Sequence, residues 1–160
     1  MAKTQWIGGN GQGLTYGNLF ASGDAGTLAN GASVRSSIAD ITNGTFLDQF
    51  MDISFAATIT SSSVAAGANL AFWFYALNED GTHYGDNGLP TAGTPVTTFT
   101  PTFPPCATVG VLTGTQTNLY GTATGVVMPP GTFRCAVQNN VGFTFTACTI
   151  QYRTYNIQIL

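Results

Sequence analysis

The feature that most constrains this chain is an alternation of apolar and polar side chains with a period of two residues. Between residues 51 and 60 every odd position is apolar, while the even positions are Asp, Ser, Ala and Thr. Successive side chains point to opposite faces of a β-strand, so this alternation predicts a strand with one buried face. Further stretches typical of strands lie at residues 33–41, 107–112, 119–128, 132–138, 141–146 and 148–159.

Turn residues separate these stretches, and no window has the apolar spacing of an amphipathic helix. Two of the turn sequences are Asn43-Gly44 and Pro130-Gly131. About eight short strands joined in this way predict an all-β fold, a two-sheet antiparallel β-sandwich with a jelly roll as the expected topology. Residues 1–32 hold eight of the 20 glycines and lack periodicity. We therefore expect an extended N-terminal arm there and a single β-sandwich domain over residues 33–160.

The stretch at residues 69–78 is apolar on both faces. Leu70, Phe72 and Phe74 share one face, while Trp73 and Tyr75, together with Leu77, share the other. A sandwich strand needs only one apolar face, and each large side chain left in water forgoes about 1.5–3 kcal/mol. We therefore expect the second face to be covered by residues 1–32, by the segment 79–105 or by another subunit.

The segment 79–105 is a long proline-rich loop that contains five of the seven prolines. Proline removes backbone donors and favours extended conformations, so this loop is predicted to be ordered but not part of a sheet. Both the arm and the loop carry aromatic residues, which are rare in disordered linkers. The candidate interface residues are Trp6, Phe20, Trp73, Tyr75, Phe99 and Phe103. We expect removal of residues 1–20 to leave a soluble fold that associates more weakly.

The composition excludes several classes of partner. Charged residues make up 7% of the chain, only four are basic, and the net charge is −3. Nucleic-acid binding requires a cluster of cations, as does electrostatic binding to a membrane surface, so neither partner is expected. No apolar stretch approaches the roughly 20 residues of a membrane helix. The N-terminus lacks the apolar run of a secretory signal, which predicts synthesis in a cytoplasm.

Residues 78–88 form the only segment that is dense in chemically versatile groups. It contains His83, Glu79 and two of the six aspartates, Asp80 and Asp86. The aspartates could hold calcium, or His83 could act as a general base with one of them. A turn closed by Asn and Asp side chains is the preferred interpretation, because neither an EF-hand pattern nor a nucleophile accompanies the segment. No catalytic residue, metal or cofactor is therefore expected, and the chain is not predicted to be an enzyme.

The three cysteines and the aromatic residues near the dense segment favour structural roles. Cys106, Cys135 and Cys148 form no C-x-x-C pair, so we expect buried or half-buried thiols. Trp73 and Tyr75, beside Tyr84, could form a platform for stacking sugars, but burial against the covering segment is preferred.

Two expectations concern the last strands. Arg134 and Arg153 lie there, and an arginine is expected to pair with Asp40, Asp48 or Asp52. The apolar positions of the final strand change parity between Tyr152 and Tyr155. A regular strand would turn half of these side chains to solvent, so a β-bulge is predicted near residues 153–154.

The stretch LDQFMDISFAATITSSSVAAGANLAFWFYALNEDGTHYGD, with the final strand TIQYRTYNIQIL, resembles the jelly-roll cement or decoration proteins of tailed bacteriophages. The resemblance covers about residues 28–88 and the last strand. It implies a virion protein, made in the host cytoplasm, that coats the capsid exterior and stabilises the shell. Its partners would be the major capsid protein and copies of itself as a homo-oligomer, and the family carries no catalytic residues.

Two other classes remain open. The chain could be a carbohydrate- or receptor-binding module of a phage tail or fibre, because its neutral polar surface suits sugars. It could also be a small extracellular hydrolase built on a sandwich, which would need paired carboxylates in one cleft. The six aspartates and one glutamate are too scattered along the chain to favour a hydrolase.

Overall fold

A computed structural model describes residues 4–8, 15–38, 40–44, 47–60, 63–85 and 89–159, with residues 4–8, 158 and 159 described by their backbone pairing only. This part of the chain contains strands and turns and no helix. The strands are β1 (Thr4–Gly8), β2 (Gly17–Asn18), β3 (Ser33–Arg35), β4 (Ile41–Asn43), β5 (Phe50–Ile59), β6 (Ser63–Val64), β7 (Asn69–Ala76), β8 (Ala107–Gly110), β9 (Gly114–Thr115), β10 (Asn118–Val127), β11 (Gly131–Asn140) and β12 (Phe145–Ile159).

Two antiparallel sheets of five strands each form the sandwich, as the alternation predicts. Sheet A has the order β1-β12-β5-β10, with β2 also paired to β12. Sheet B has the order β3-β11-β7-β8, with β4 also paired to β11, and β6 and β9 form a small separate ribbon. The predicted strand at residues 33–41 is divided into β3 and β4, which pair with different parts of β11. The predicted strand at residues 141–146 is mostly a turn that leads into β12.

The main core fills the space between the inner faces of the two sheets. The odd positions of β5 from Met51 to Ile59 are all buried in it, which confirms the predicted half-buried strand. Both faces of β7 are also buried. Leu70, Phe72 and Phe74 join the main core, while Trp73 and Tyr75 belong to a second cluster on the outer side of sheet B.

Sheets A and B approach each other most closely where β10 passes β8. A Cβ atom at Gly121 would lie 2.5 Å from Val109 Cγ1, 2.6 Å from Phe55 Cε1 and 2.9 Å from the carbonyl oxygen of Gly110. No side chain fits in that space, so a glycine is required at this corner of the sandwich.

Much of the segment assigned to the arm lies in the sandwich itself. Leu19, Phe20, Ala25 and Leu28 are buried in the main core, and both β1 and β2 pair with β12. The expectation that residues 1–20 could be removed without harm to the fold is therefore corrected, because their removal would empty part of the core.

The bulge predicted near residues 153–154 is wrong. β12 pairs with β5 in continuous register from Ala147 to Tyr155, and the irregularity lies between Phe145 and Ala147. The apolar side chain that follows the parity change in β12 is buried without a bulge. Tyr155 points to the outer side of sheet A, yet it is 1% exposed, because it stacks on Phe50 at a ring distance of 5.8 Å.

Candidate functional site

The outer side of sheet B is covered by the proline-rich loop. The indole Nε1 of Trp73 donates to the carbonyl oxygen of Phe103 at 3.0 Å, and the Phe99 ring packs edge-on against Trp73 with centroids 5.3 Å apart. Tyr75 packs against the Phe103 ring at 5.1 Å. Trp73 is 4% exposed and Tyr75 1%. The prediction that this face of β7 is covered is confirmed, and these two rings do not form a platform for sugars.

Most of the candidate interface residues are buried within the chain, which corrects the prediction that they contact a partner. Phe20 lies in the main core, and Trp73, Tyr75 and Phe99 anchor the proline-rich loop to sheet B. Phe103, by contrast, is 37% exposed and can contact a partner. The remaining candidate, Trp6, lies in β1 opposite Ile157 of β12, and its side chain is outside the described part of the structure.

The outer side of sheet A is largely open: the side chains along the middle of β5, β10 and β12 are exposed or half-exposed there, and Tyr16 packs at one end, against Arg153. We call this surface the open face. The pairing register and the accessibility of the side chains assign to it Asn18, Ser54, Ala56, Thr58, Asn118, Tyr120, Thr122, Ala147, Thr149 and Gln151. All of these side chains are uncharged, and most are small.

Hydrogen bonds join neighbouring strands across the open face. Thr58 Oγ1 donates to Asn118 Oδ1 at 3.4 Å. Thr122 Oγ1 donates to Ser54 Oγ, and Gln151 Nε2 donates to Asn18 Oδ1, also at 3.4 Å each. Because these polar groups already satisfy one another, covering them with a partner costs less than burying polar groups that lack hydrogen bonds.

An ion pair closes one end of the open face without adding net charge. Asp52 is 2% exposed, and its Oδ2 atom accepts from Arg153 Nη2 at 2.7 Å and from Arg153 Nε at 2.8 Å. The Tyr155 hydroxyl and the Gly125 amide donate to Oδ1 at 3.2 and 3.1 Å. The hydrogen bond to Asp52 raises the pKa of Arg153. The predicted ion pair between an arginine of the last strands and an aspartate nearer the N-terminus is confirmed here. Arg134 and Asp40 form a second such pair.

Tyr120 is the large side chain that stands out from the open face. It lies on β10, at the edge of sheet A, and is 68% exposed. Tyrosine is enriched among the residues that contribute most to binding energy at protein interfaces. Tyr120 is not among the residues that the sequence predicts to form an interface, although the alternation that buries Leu119 places Tyr120 on the opposite side of the strand.

A cleft with two arginines lies on the other side of the molecule, beside the proline-rich loop; we call it the arginine cleft. It has a volume of about 340 Å³ and is lined by Arg35, Thr82, His83, Tyr84, Leu89, Pro90, Thr91 and Arg134. The Arg134 guanidinium lies over the Tyr84 ring, with its carbon 3.7 Å from the centroid, and Arg134 Nε donates to Asp40 Oδ1 at 2.7 Å.

Asp40 holds two of the residues that line the arginine cleft, Arg134 and Tyr84. It accepts a hydrogen bond from the Tyr84 hydroxyl as well as from Arg134. Burial favours the neutral form of this carboxyl, but the hydrogen bonds from Arg134 and Tyr84 outweigh it and lower the pKa of Asp40. Burial and the bond to Asp40 raise the pKa of Tyr84. The two side chains that hold Asp40 are thereby fixed in position, with the carboxylate ionised.

The segment at residues 78–85, which is dense in chemically versatile groups, forms a turn, in agreement with the preferred interpretation of the sequence. Asp80 Oδ1 accepts from the backbone amides of Thr82 and His83 at 2.9 Å each, and Asp80 Oδ2 contacts His83 Nδ1 at 2.7 Å. Gly81 has a φ of 68°, which glycine adopts at little cost. Asp86 lies outside the described residues. Within the described ones, no three potential metal ligands are grouped together.

The cysteine thiols are held in their protonated forms. Cys135 is buried and Cys148 half-buried, as expected, and burial raises the pKa of Cys148 to about 12. Cys106 corrects the expectation, because it is exposed as a residue. Its sulfur nevertheless turns toward β7, where it donates to the carbonyl oxygen of Phe72 at 3.1 Å, and desolvation raises its pKa to about 12. Thiols with such pKa values are poor nucleophiles near neutral pH.

Comparison with known proteins gives no relative: no protein-family model, no curated protein and no solved structure matches the chain. In the described part of the chain, no helix is long and apolar enough to cross a membrane.

Proposed function

We propose that this protein is a structural virion protein that binds the outer surface of a phage capsid lattice through its open face and stabilises the shell. One observation carries the proposal: one outer face of the sandwich is covered by a loop and the other is open. The proline-rich loop covers sheet B, whereas the face of sheet A is left open, uncharged and broad.

An open face of this kind suits contact with a large protein surface. Its small, mutually bonded side chains allow close approach, and Tyr120 supplies apolar area at its edge. Each contact is weak, but a shell presents many equivalent positions, and an oligomer that engages several of them gains affinity through its effective concentration. The low charge of the chain removes the repulsion that would oppose dense packing of copies.

The order of the strands supports the jelly-roll topology in this proposal. The chain runs through β2 in sheet A, β3 in sheet B, β5 in sheet A, β7 and β8 in sheet B, β10 in sheet A, β11 in sheet B and β12 in sheet A. This repeated crossing between the sheets is what a double-sheet jelly roll requires.

The homo-oligomer in the proposal is supported by the ends of the chain. β12 pairs with β5 only as far as Tyr155, and beyond that residue it pairs only with β1 in the described structure. An isolated two-stranded ribbon is marginally stable in water, so a second copy that adds a strand to β1 would stabilise it. In this proposal the partners are the major capsid protein and further copies of this chain on the virion exterior, with no nucleic acid, membrane, cofactor or catalysis involved.

The test is binding of purified protein to parent particles that lack it. We expect Tyr120→Glu to reduce binding at least about tenfold, because it places a charge where the contact excludes water. Leu112→Glu is the matched control, since Leu112 is 75% exposed but lies outside the open face. Particles without the protein should also burst at lower temperature. Equal binding of both variants, or equally robust bare particles, would contradict the proposal.

A carbohydrate- or receptor-binding module is the second candidate function. The arginine cleft favours it, because that cleft combines charged donors, hydroxyls and an apolar wall. Trp73 and Tyr75 do not contribute to such binding, since both are buried beneath the loop. Glycan binding without any affinity for shells would favour this candidate over the first.

A further inference from the structure

We propose that the arginine cleft binds the carboxylate of an acidic sugar, such as a uronic acid residue of a surface polysaccharide. This site is distinct from the open face: the cleft belongs to the outer side of sheet B and the proline-rich loop, whereas shell binding is assigned to sheet A. The proposal does not depend on the virion role.

Arg35 is the group that would recognise the carboxylate. Its Nε atom donates to the carbonyl oxygen of Pro90 at 3.1 Å, which fixes the plane of the guanidinium beside the cleft. Its two terminal nitrogens have no hydrogen-bond partner among the described residues. A guanidinium held in this way presents a fork of donors that matches the two oxygens of a carboxylate.

The charges in the cleft favour a single negative charge on the ligand. Arg134 is paired with Asp40, whose other oxygen is bound by Tyr84, so Asp40 acts on Arg35 through its charge and not through a hydrogen bond among the described residues. Burial, and after it the neighbouring Arg134, lower the pKa of Arg35 against the opposing effect of Asp40 and Tyr84. An anion bound to Arg35 would favour its charged form. With Asp40 paired to Arg134 and Asp80 beside His83, the cleft carries no large excess of positive charge, so a singly charged carboxylate is favoured over a phosphate dianion.

The remaining walls fit a sugar better than a peptide. Thr82 and Thr91 contribute hydroxyl groups, and Leu89 and Pro90 form an apolar side. A volume of about 340 Å³ lies at the lower end of the usual range for ligand pockets, roughly 300–1,000 Å³, and suits one sugar ring. Neutral hydroxyls with one apolar wall complement the ring hydroxyls and the C–H face of a pyranose.

The experiment is calorimetric titration of the full chain with methyl glucuronide, its uncharged methyl ester, an acetylated glutamate amide and inorganic phosphate. We expect binding of the glucuronide and at least about tenfold weaker binding of its ester, which lacks the ionised carboxylate, since a hydrogen bond between ionised groups is worth this much or more. The glutamate amide and phosphate should also bind at least about tenfold more weakly, because neither offers ring hydroxyls and a C–H face to the walls of the cleft. Equal binding of the ester, or preferred binding of phosphate or of the glutamate compound, would overturn the proposal.

Variants at Arg35 assign the binding to the proposed group. Arg35→Gln should weaken glucuronide binding about tenfold or more. Arg35→Lys keeps the charge but loses the paired donors of the guanidinium, so its affinity for the glucuronide should lie between those of the unsubstituted protein and Arg35→Gln. Leu112→Glu is the control, because it changes the net charge by the same amount at an exposed site outside the cleft. Thermal melting shows that each variant is folded. Unchanged binding in folded Arg35→Gln would refute the assignment.

Discussion

Asp24 is 7% exposed, and both of its carboxylate oxygens accept hydrogen bonds from Ser37, thirteen residues away. Asp52 likewise joins Arg153 of β12 to the Gly125 amide of β10. In a chain with few charges, these carboxylates connect segments that are distant in sequence. A buried carboxylate that loses its partner is costly, so such residues specify one arrangement of the segments they join.

The Asp80 turn gives a pH-dependent prediction at the scale of one residue. Backbone amides of His83 and Thr82, followed by the His83 ring, lower the pKa of Asp80 from 3.8 to about 2. The stabilisation of the turn is therefore complete above the unfolded pKa of 3.8 and is lost as the pH falls through about 2. Carbon-detected NMR titration of the Asp80 carboxyl should place its midpoint near pH 2, and a midpoint near 3.8 would contradict the turn.

At the scale of the strand, the alternation was informative where burial follows the pleat. It predicts β5 and β7, because the odd positions of β5 are buried, its even positions other than Asp52 are at least partly exposed, and both faces of β7 are apolar and buried. It fails at Tyr155, which is buried on the outer side of the sheet by Phe50 and by the ion pair at Asp52. That burial depends on residues about a hundred positions away, so local periodicity does not reveal it.

The proline-rich loop is predicted to contribute to stability in proportion to the burial of its aromatic anchors. Phe99 is 6% exposed and Phe103 is 37% exposed, and both pack on Tyr75. Phe99→Ala should lower the free energy of unfolding by about 3–5 kcal/mol, as for a buried core phenylalanine. Phe103→Ala, the same change at a half-exposed site, should cost less than half as much. Urea denaturation measures both, and equal costs would mean that the loop is not anchored as described.

For the molecule as a whole, the sequence predicts the sandwich more fully than its binding surfaces. Low charge and the absence of a recognisable catalytic pattern indicate a binding protein, and the sequence predicts that the aromatic residues make the contacts. Aromatic residues have the most to gain from burial, however, so Trp73, Tyr75 and Phe99 are buried within the chain itself. Tyr120 and Arg35 are placed at surfaces by the pairing of β10 and by the path of the loop, which are tertiary features.

Two truncations separate the part of the N-terminal segment that belongs to the core from the part available for assembly. Removing residues 1–8 deletes β1, which among the described strands pairs only with the end of β12. The shortened chain should remain folded but form fewer oligomers in sedimentation velocity, because the ribbon that a second copy would extend is gone.

Removing residues 1–20 also deletes Leu19 and Phe20, which are 1% and 4% exposed in the core. Truncating a buried leucine to alanine costs about 2–5 kcal/mol, and a phenylalanine about 3–5 kcal/mol. The combined loss falls within the roughly 5–15 kcal/mol that typically separates folded from unfolded domains. The longer truncation should therefore be largely unfolded, with the double variant Leu19→Ala, Phe20→Ala in the full chain as its control. A longer truncation that melts at the same temperature as the intact chain would show that the core does not depend on these two residues.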